Sequence, residues 1–157
     1  MRYPLLFNLI RMSIFTTQEQ EQIAHAITES EKATSGEIRI AVEKHCKGDA
    51  YERATAYFHE LGMDQTSRHN GVLIYLATED HKFAIIGDRG INKLVPADFW
   101  ETTKTAMKAH FMAGNLCEGI IAGIALAGEK LSAFFPNQND DVNELPNEII
   151  FIDKAKS

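Results

Sequence analysis

The sequence predicts an α/β protein: a three-layer α/β/α sandwich on a mixed sheet of about four strands. Three observations lead there. Helix-type and strand-type segments follow one another in the order α-β-α-β-β-α-α, which calls for helices on both faces of a sheet. The stretch "GVLIYLA" at 71–77 is apolar without interruption, as in a central strand covered on both faces. Only the short "TEDH" separates it from "KFAIIG" at 82–87, so the two form a hairpin.

Each element can be read in turn. Thr16 or Thr17 caps a first helix, and "TTQEQEQ" supplies acceptors for its free amides. Ile23, Ala24, Ala26 and Ile27 form its apolar side, and "TSG" at 34–36 ends it. "EIRIAVE" at 37–43 alternates Ile38, Ile40 and Val42 with Glu37, Arg39 and Glu43, the pattern of a half-buried strand. After the turn "HCKGD", a second helix is expected over 50–63. Its stripe is Ala54, Tyr57, Phe58 and Leu61, and Gly62 ends it. "DQTSRHN" at 64–70 is a polar loop. Pro96 is expected in the first turn of a long helix that turns Phe99, Trp100, Thr103, Met107 and Phe111 inward. "AGN" separates this from a helix over 116–134, whose Gly119, Ala122, Gly123 and Ala127 permit close packing. "IIFID" at 149–153 reads as a late edge strand. The first two strands are joined through a helix, so they should be parallel with a right-handed crossover, and the third antiparallel to the second.

The expected organisation is an N-terminal extension at 1–14, one domain at 15–136, and an acidic C-terminal segment at 137–157 ending in a disordered tail. "MRYPLLFNLIRM" carries one Arg before a short apolar run. It lacks a small-x-small cleavage pattern and is shorter than the roughly 20 residues of a membrane span. Residues 1–11 therefore read as an extension ahead of a more natural start at Met12. "GIIAGIALAG" is flanked by Glu118 and Glu129 and is also too short, so no membrane span is expected.

The chain has 157 residues, 22 Asp and Glu against 16 Lys and Arg, and a net charge of −6. That balance excludes a nucleic-acid binder of the usual basic kind, because phosphate contact needs a cationic face. It suits cations better. Cys46 and Cys117 form no CxxC pair, so a structural zinc site is disfavoured and two reduced cytoplasmic thiols are expected.

The expected topology brings Glu37, the loop 64–70 and the end of the third strand to one edge of the sheet. Asp64, Asn70 and Asp88 lie there, and the loop after Asp88 carries Asp98 within reach. Hard cations take six or more oxygens, and these five side chains make a candidate site for a divalent metal, Ca²⁺ first, with Mg²⁺ or Zn²⁺ as alternatives. Each residue also has a plainer reading. Asp88 fits a turn acid, Asp98 a first-turn helix acid, Glu37 a solvated strand end, and Asn70–Gly71 an ordinary turn pair. "NDDVNEL" at 139–145 could bind a cation alone or be a solvated loop. The six histidines show no HxxxH pairing. No GxSxG surrounds Ser35 or Ser67, and "GDRG" is no phosphate loop. Arg68 and Arg89 could hold an anion or pair with nearby acids.

"NGVLIYLATEDHKFAIIGDRGINKLVPADFW", followed by "FMAGNLCEGIIAGI", resembles the TPM domain family, and "SGEIRIAV" fits as well. The matching features are Asn70 to Leu73, the hairpin to Gly87, Gly90, Asp98, and Gly114 with Gly119. The resemblance spans about residues 15–135. It implies an α/β/α sandwich and divalent-cation binding at an acidic edge. For plant members it also implies a proposed acid phosphatase activity. Carried over by position, it points to Glu37, Asn70, Asp88 and Asp98. The leader and membrane anchor common in the family are not expected here. The resulting expectation is a soluble, cytoplasmic, monomeric metal-binding protein. The alternatives are a metal-dependent phosphatase and an interaction module with an unknown protein partner.

Overall fold

The fold is seen in a computed structural model, which describes residues 14–137 and 149–152. Most of the expected N-terminal extension, the acidic run 139–145 and the C-terminal tail lie outside the described residues. The elements are α1 (Thr17–Glu31), β1 (Glu37–Glu43), α2 (Ala50–Glu60), a 3₁₀ turn (Met63–Gln65), β2 (Gly71–Ala77), β3 (Lys82–Gly87), the short α3 (Arg89–Asn92), α4 (Glu101–Met112), α5 (Leu116–Ser132) and β4 (Ile150–Phe151).

The four strands form one mixed sheet in the order β3-β2-β1-β4. β1 runs parallel to β2 with Glu37 opposite Gly71, and β2 pairs antiparallel with β3. β4 adds in parallel to β1 through Ala41–Ile150 and Val42–Phe151. Alternate side chains divide the core into two. Ile38, Ile40, Val42, Val72 and Ile74 pack with Ile23, Ile27, Met107, Ile120 and Ile124 of α1, α4 and α5. Ala41, Leu73, Tyr75, Ala84 and Ile86 pack with Ala54 and Phe58 of α2. The three-layer α/β/α arrangement expected from the sequence is therefore present.

Thr16 caps α1 through a complete capping box with Glu19. α5 packs tightly against two helices. A Cβ on Gly123 would sit 2.5 Å from Met107 Sδ, and one on Gly128 would sit 2.7 Å from Ser30 Cβ.

Three expectations need correction. β1 is buried along its whole length, Arg39 and Glu43 included, because α2 covers the face the alternation assigned to water. α2 ends at Glu60, and the left-handed Gly62 (φ 73°) leads into the 3₁₀ turn. No long helix starts at Pro96. α3 ends at Asn92, turns at Pro96–Phe99 and Asp98–Glu101 follow, and α4 begins at Glu101. Phe99 fixes this bend, with its ring against Trp100 at 4.7 Å and Phe134 at 5.6 Å.

Candidate functional site at the amino edge of the sheet

Because β1 and β2 are parallel, their first residues lie at one end of the sheet, where the antiparallel β3 ends. The Asn70 carbonyl accepts the Glu37 amide at 3.3 Å, and the Gly71 carbonyl accepts the Asp88 amide at 2.9 Å. Glu37, Asn70 and Asp88 thus converge from three separate segments, as expected. All three are buried. Asn70 Nδ2 donates to Ser35 Oγ at 3.3 Å, and Glu31 Oε2 accepts the Ile38 amide at 2.9 Å.

Asp88 caps α3, its Oδ1 accepting the Arg89 amide at 2.7 Å. Its other oxygen, Oδ2, is buried and makes no hydrogen bond. His69 Nδ1 lies 3.5 Å from that oxygen and is equally buried and unpartnered. Arg89 Nη2 sits 2.9 Å from His69 Nε2. A guanidinium can only donate, so Nε2 is the acceptor in that contact. Thr66 Oγ1 adds another buried, unpartnered polar atom in the same loop.

The glycine at 90 is explained by contact. A Cβ there would lie 2.4 Å from the His69 carbonyl oxygen and 2.6 Å from that of Arg68. The Gly90 amide donates to the His69 carbonyl at 2.9 Å. The loop carrying His69 therefore lies directly on α3, with His69 itself at a left-handed φ of 52°.

The other two proposed ligands sit differently. Asp64 binds His59 Nδ1 at 3.0 Å and Gln65 Nε2 at 3.1 Å. These bonds, His59 first, hold its carboxyl below the usual aspartate range. Asp98 is exposed in the turn before α4, where its carbonyl accepts the Glu101 amide. Among the described residues, no three His, Cys, Asp or Glu side chains gather into a metal-holding group. No motif in the sequence marks Thr66, and the histidines' lack of HxxxH pairing gives no sign of the place His69 takes beside Asp88. "HNG" announces a turn, but nothing local says that the imidazole is folded inward onto Asp88.

The TPM domain model matches residues 11–130. The chain belongs to the TPM domain family. Among solved structures it is similar to the BA42 protein of the psychrophilic bacterium Bizionia argentinensis. That match has 48% identity and a TM-score of 0.82, covering 87% of this chain and 94% of that one. It also shares its fold with the N-terminal domain of the cg2496 protein from Corynebacterium glutamicum, at 13% identity and a TM-score of 0.54, covering 91% and 83%. No curated protein matches the chain. Among the described residues of this TPM domain, no helix is long and apolar enough to cross a membrane.

A second charged cluster lies at the opposite end of the sheet. Glu43 closes β1 and is buried against α2. It accepts Arg53 Nε at 2.8 Å and Nη2 at 3.1 Å, the Tyr57 hydroxyl at 3.3 Å, and the Tyr75 hydroxyl. Burial, then the nearby carboxylate, pushes both phenols well above their ordinary range. The same carboxylate raises the Arg53 guanidinium further. This group is a closed network tying α2 to the sheet of the TPM domain.

Proposed function

We propose that this TPM domain binds a divalent cation, Ca²⁺ first, at the amino edge of the sheet, with Asp88 as the central ligand. The observation that supports it is the buried Asp88 oxygen without a hydrogen-bond partner. A buried anionic oxygen left unpaired is costly, and a cation relieves that cost. Asn70 and Glu37 converge on the same edge and are the next ligands proposed. Asp64 and Asp98 would join only by a shift of their loops, the first by giving up His59. The two free, buried thiols support a reducing, cytoplasmic setting.

The test is thermal unfolding with Ca²⁺ and with chelator. A ligand bound only by the folded chain stabilises it by about 2.7 kcal/mol at a hundredfold excess over its Kd. Melting temperature should rise with Ca²⁺, and Asp88→Asn should remove the rise. An unchanged melting temperature across the millimolar range sinks the proposal.

A second reading is a metal-dependent phosphatase. Arg89 favours it, because its exposed guanidinium beside Asp88 and His69 is suited to a phosphate oxygen. Hydrolysis of a phosphate monoester that requires Ca²⁺ or Mg²⁺ and disappears in both Asp88→Asn and Arg89→Met would support it. Turnover that survives either change belongs to something else.

A further inference from the structure

At the other end of the sheet, the turn after β1 and the start of β3 border a shallow, open hollow of about 380 Å³. Gly48, Asp49, His81, Lys82, Phe83 and Lys108 are among the residues that line it. We propose that it binds a small organic anion, a carboxylate carrying an apolar or aromatic body. The volume falls in the range of small-molecule sites.

The cationic side is built from two lysines. Lys82 Nζ donates to the carbonyls of Gly48 at 2.7 Å and Cys46 at 3.1 Å. Those bonds use two of its three N–H groups and fix the ammonium, leaving one N–H for a ligand. Lys108 rises from α4 and is exposed. Among the described residues neither lysine has a carboxylate ion-pair partner, whereas Lys32 and Lys104 pair with Glu29 and Glu101. Among the lining residues the two ammonium groups outnumber the one acid, Asp49, so in a chain of net charge −6 the hollow carries a local positive excess.

The acids nearby are already engaged. Asp49 caps α2 by accepting the Glu52 amide at 3.0 Å. Asp80 binds His45 Nδ1 at 3.1 Å and the Cys46 amide at 2.7 Å. The exposed His81, at a left-handed φ of 55°, adds a further donor at the rim. Phe83 supplies an apolar wall, steadied edge-on by Phe111 at 5.1 Å. Asp49, which also lines the hollow, opposes a higher anionic charge such as that of a phosphate dianion. A monoanionic carboxylate with its body on Phe83 satisfies both sides.

Two-dimensional NMR titration of the full chain with benzoate tests this, with inorganic phosphate as a second arm and sodium chloride at matched ionic strength as the control. Saturable shifts are expected at Gly48–Ala50, His81–Phe83 and Lys108, larger for benzoate than for phosphate. Lys108→Glu changes only an exposed helix position. It should keep the melting temperature and weaken benzoate by at least about fivefold. Lys82→Met should weaken it as well. The proposal is overturned by an unsaturable response, by shifts elsewhere, by equal affinity in Lys108→Glu, or by phosphate binding as tightly as benzoate. Titrating in chelator keeps the result separate from any metal at Asp88.

Discussion

Glu43 and Asp88 are both carboxylates buried at ends of the same sheet, 2% and 7% exposed, yet they are satisfied differently. Glu43 meets a two-pronged guanidinium and two tyrosine hydroxyls. Asp88 uses one oxygen on the Arg89 amide and leaves the other facing an imidazole at 3.5 Å, beyond useful hydrogen-bonding length. A closed network of this kind holds elements together. An open one has capacity left for something that arrives from solution. This chain thus carries a hydrogen-bonded carboxylate at one end of its sheet and, at the other, one with an unbonded buried oxygen.

The largest effect should come from breaking the closed network. Glu43→Ala leaves Arg53 and two tyrosine hydroxyls without their acceptor, and losing one partner of a buried pair costs about 3 kcal/mol. Chemical denaturation should show that loss with or without Ca²⁺. A loss under about 1 kcal/mol would place Glu43 among solvent-screened surface ions and remove the contrast with Asp88.

Next in size is Gly90→Ala. The added carbon meets two backbone carbonyls, which cannot rotate away as a side chain could. Overpacking of this kind costs about 2 kcal/mol. Because the loop that moves carries His69, any Ca²⁺-dependent stabilisation should fall in the same variant. Full stability with an intact Ca²⁺ response would show that the 66–70 loop and α3 are not held in contact.

How much of this was legible before the structure follows from the same residues. The order and direction of the first three strands came from "GVLIYLA", "KFAIIG" and the helix between the first two strands, because periodicity and short turns are local signals. The convergence of Glu37, Asn70 and Asp88 followed from that topology alone. The burial of Arg39 and Glu43 did not, since alternation is read as one wet face and α2 happens to cover it. The break between Pro96 and Glu101 was hidden too. Pro96 suits a helix start, and what overrides it is Phe99 packing on residues from both Trp100 and the distant Phe134. The inward turn of His69 depends on a left-handed backbone and on α3 lying under it, contacts that no short window of sequence contains.

A smaller effect separates the two carboxylates isosterically. Asp88→Asn without metal should change stability by less than about 1 kcal/mol, because the amide oxygen still caps α3 and the unpaired charge is gone. Glu43→Gln should cost clearly more, since a neutral amide is a poor partner for Arg53. If the two variants lose equal stability in chelator, Asp88 is as well satisfied as Glu43 and has no spare capacity for a cation.

The smallest effect is the acid dependence of two half-buried aspartates, one near each end. Asp80 is held below the usual range first by His45 and then by the Cys46 amide. Asp64 is held low first by His59 and then by Gln65. A carboxyl lowered on folding adds stability in full above its unfolded value of about 3.9. That stability is lost as pH falls through the folded value, so the window lies below about pH 4. Denaturation midpoints followed from pH 6 to pH 3, on the order of that window, should fall less steeply in Asp80→Asn and in Asp64→Asn than in the parent. Replacing the histidine distinguishes the ends. Asp64 depends chiefly on His59, so His59→Gln should flatten the acid limb nearly as much as Asp64→Asn does. Asp80 keeps its 2.7 Å bond from the Cys46 amide whatever stands at 45, so His45→Gln should flatten it only in part. Equal flattening by the two histidine variants would mean that the Cys46 amide does not hold Asp80, and that the turn next to the lysine-lined hollow is looser than its hydrogen bonds indicate.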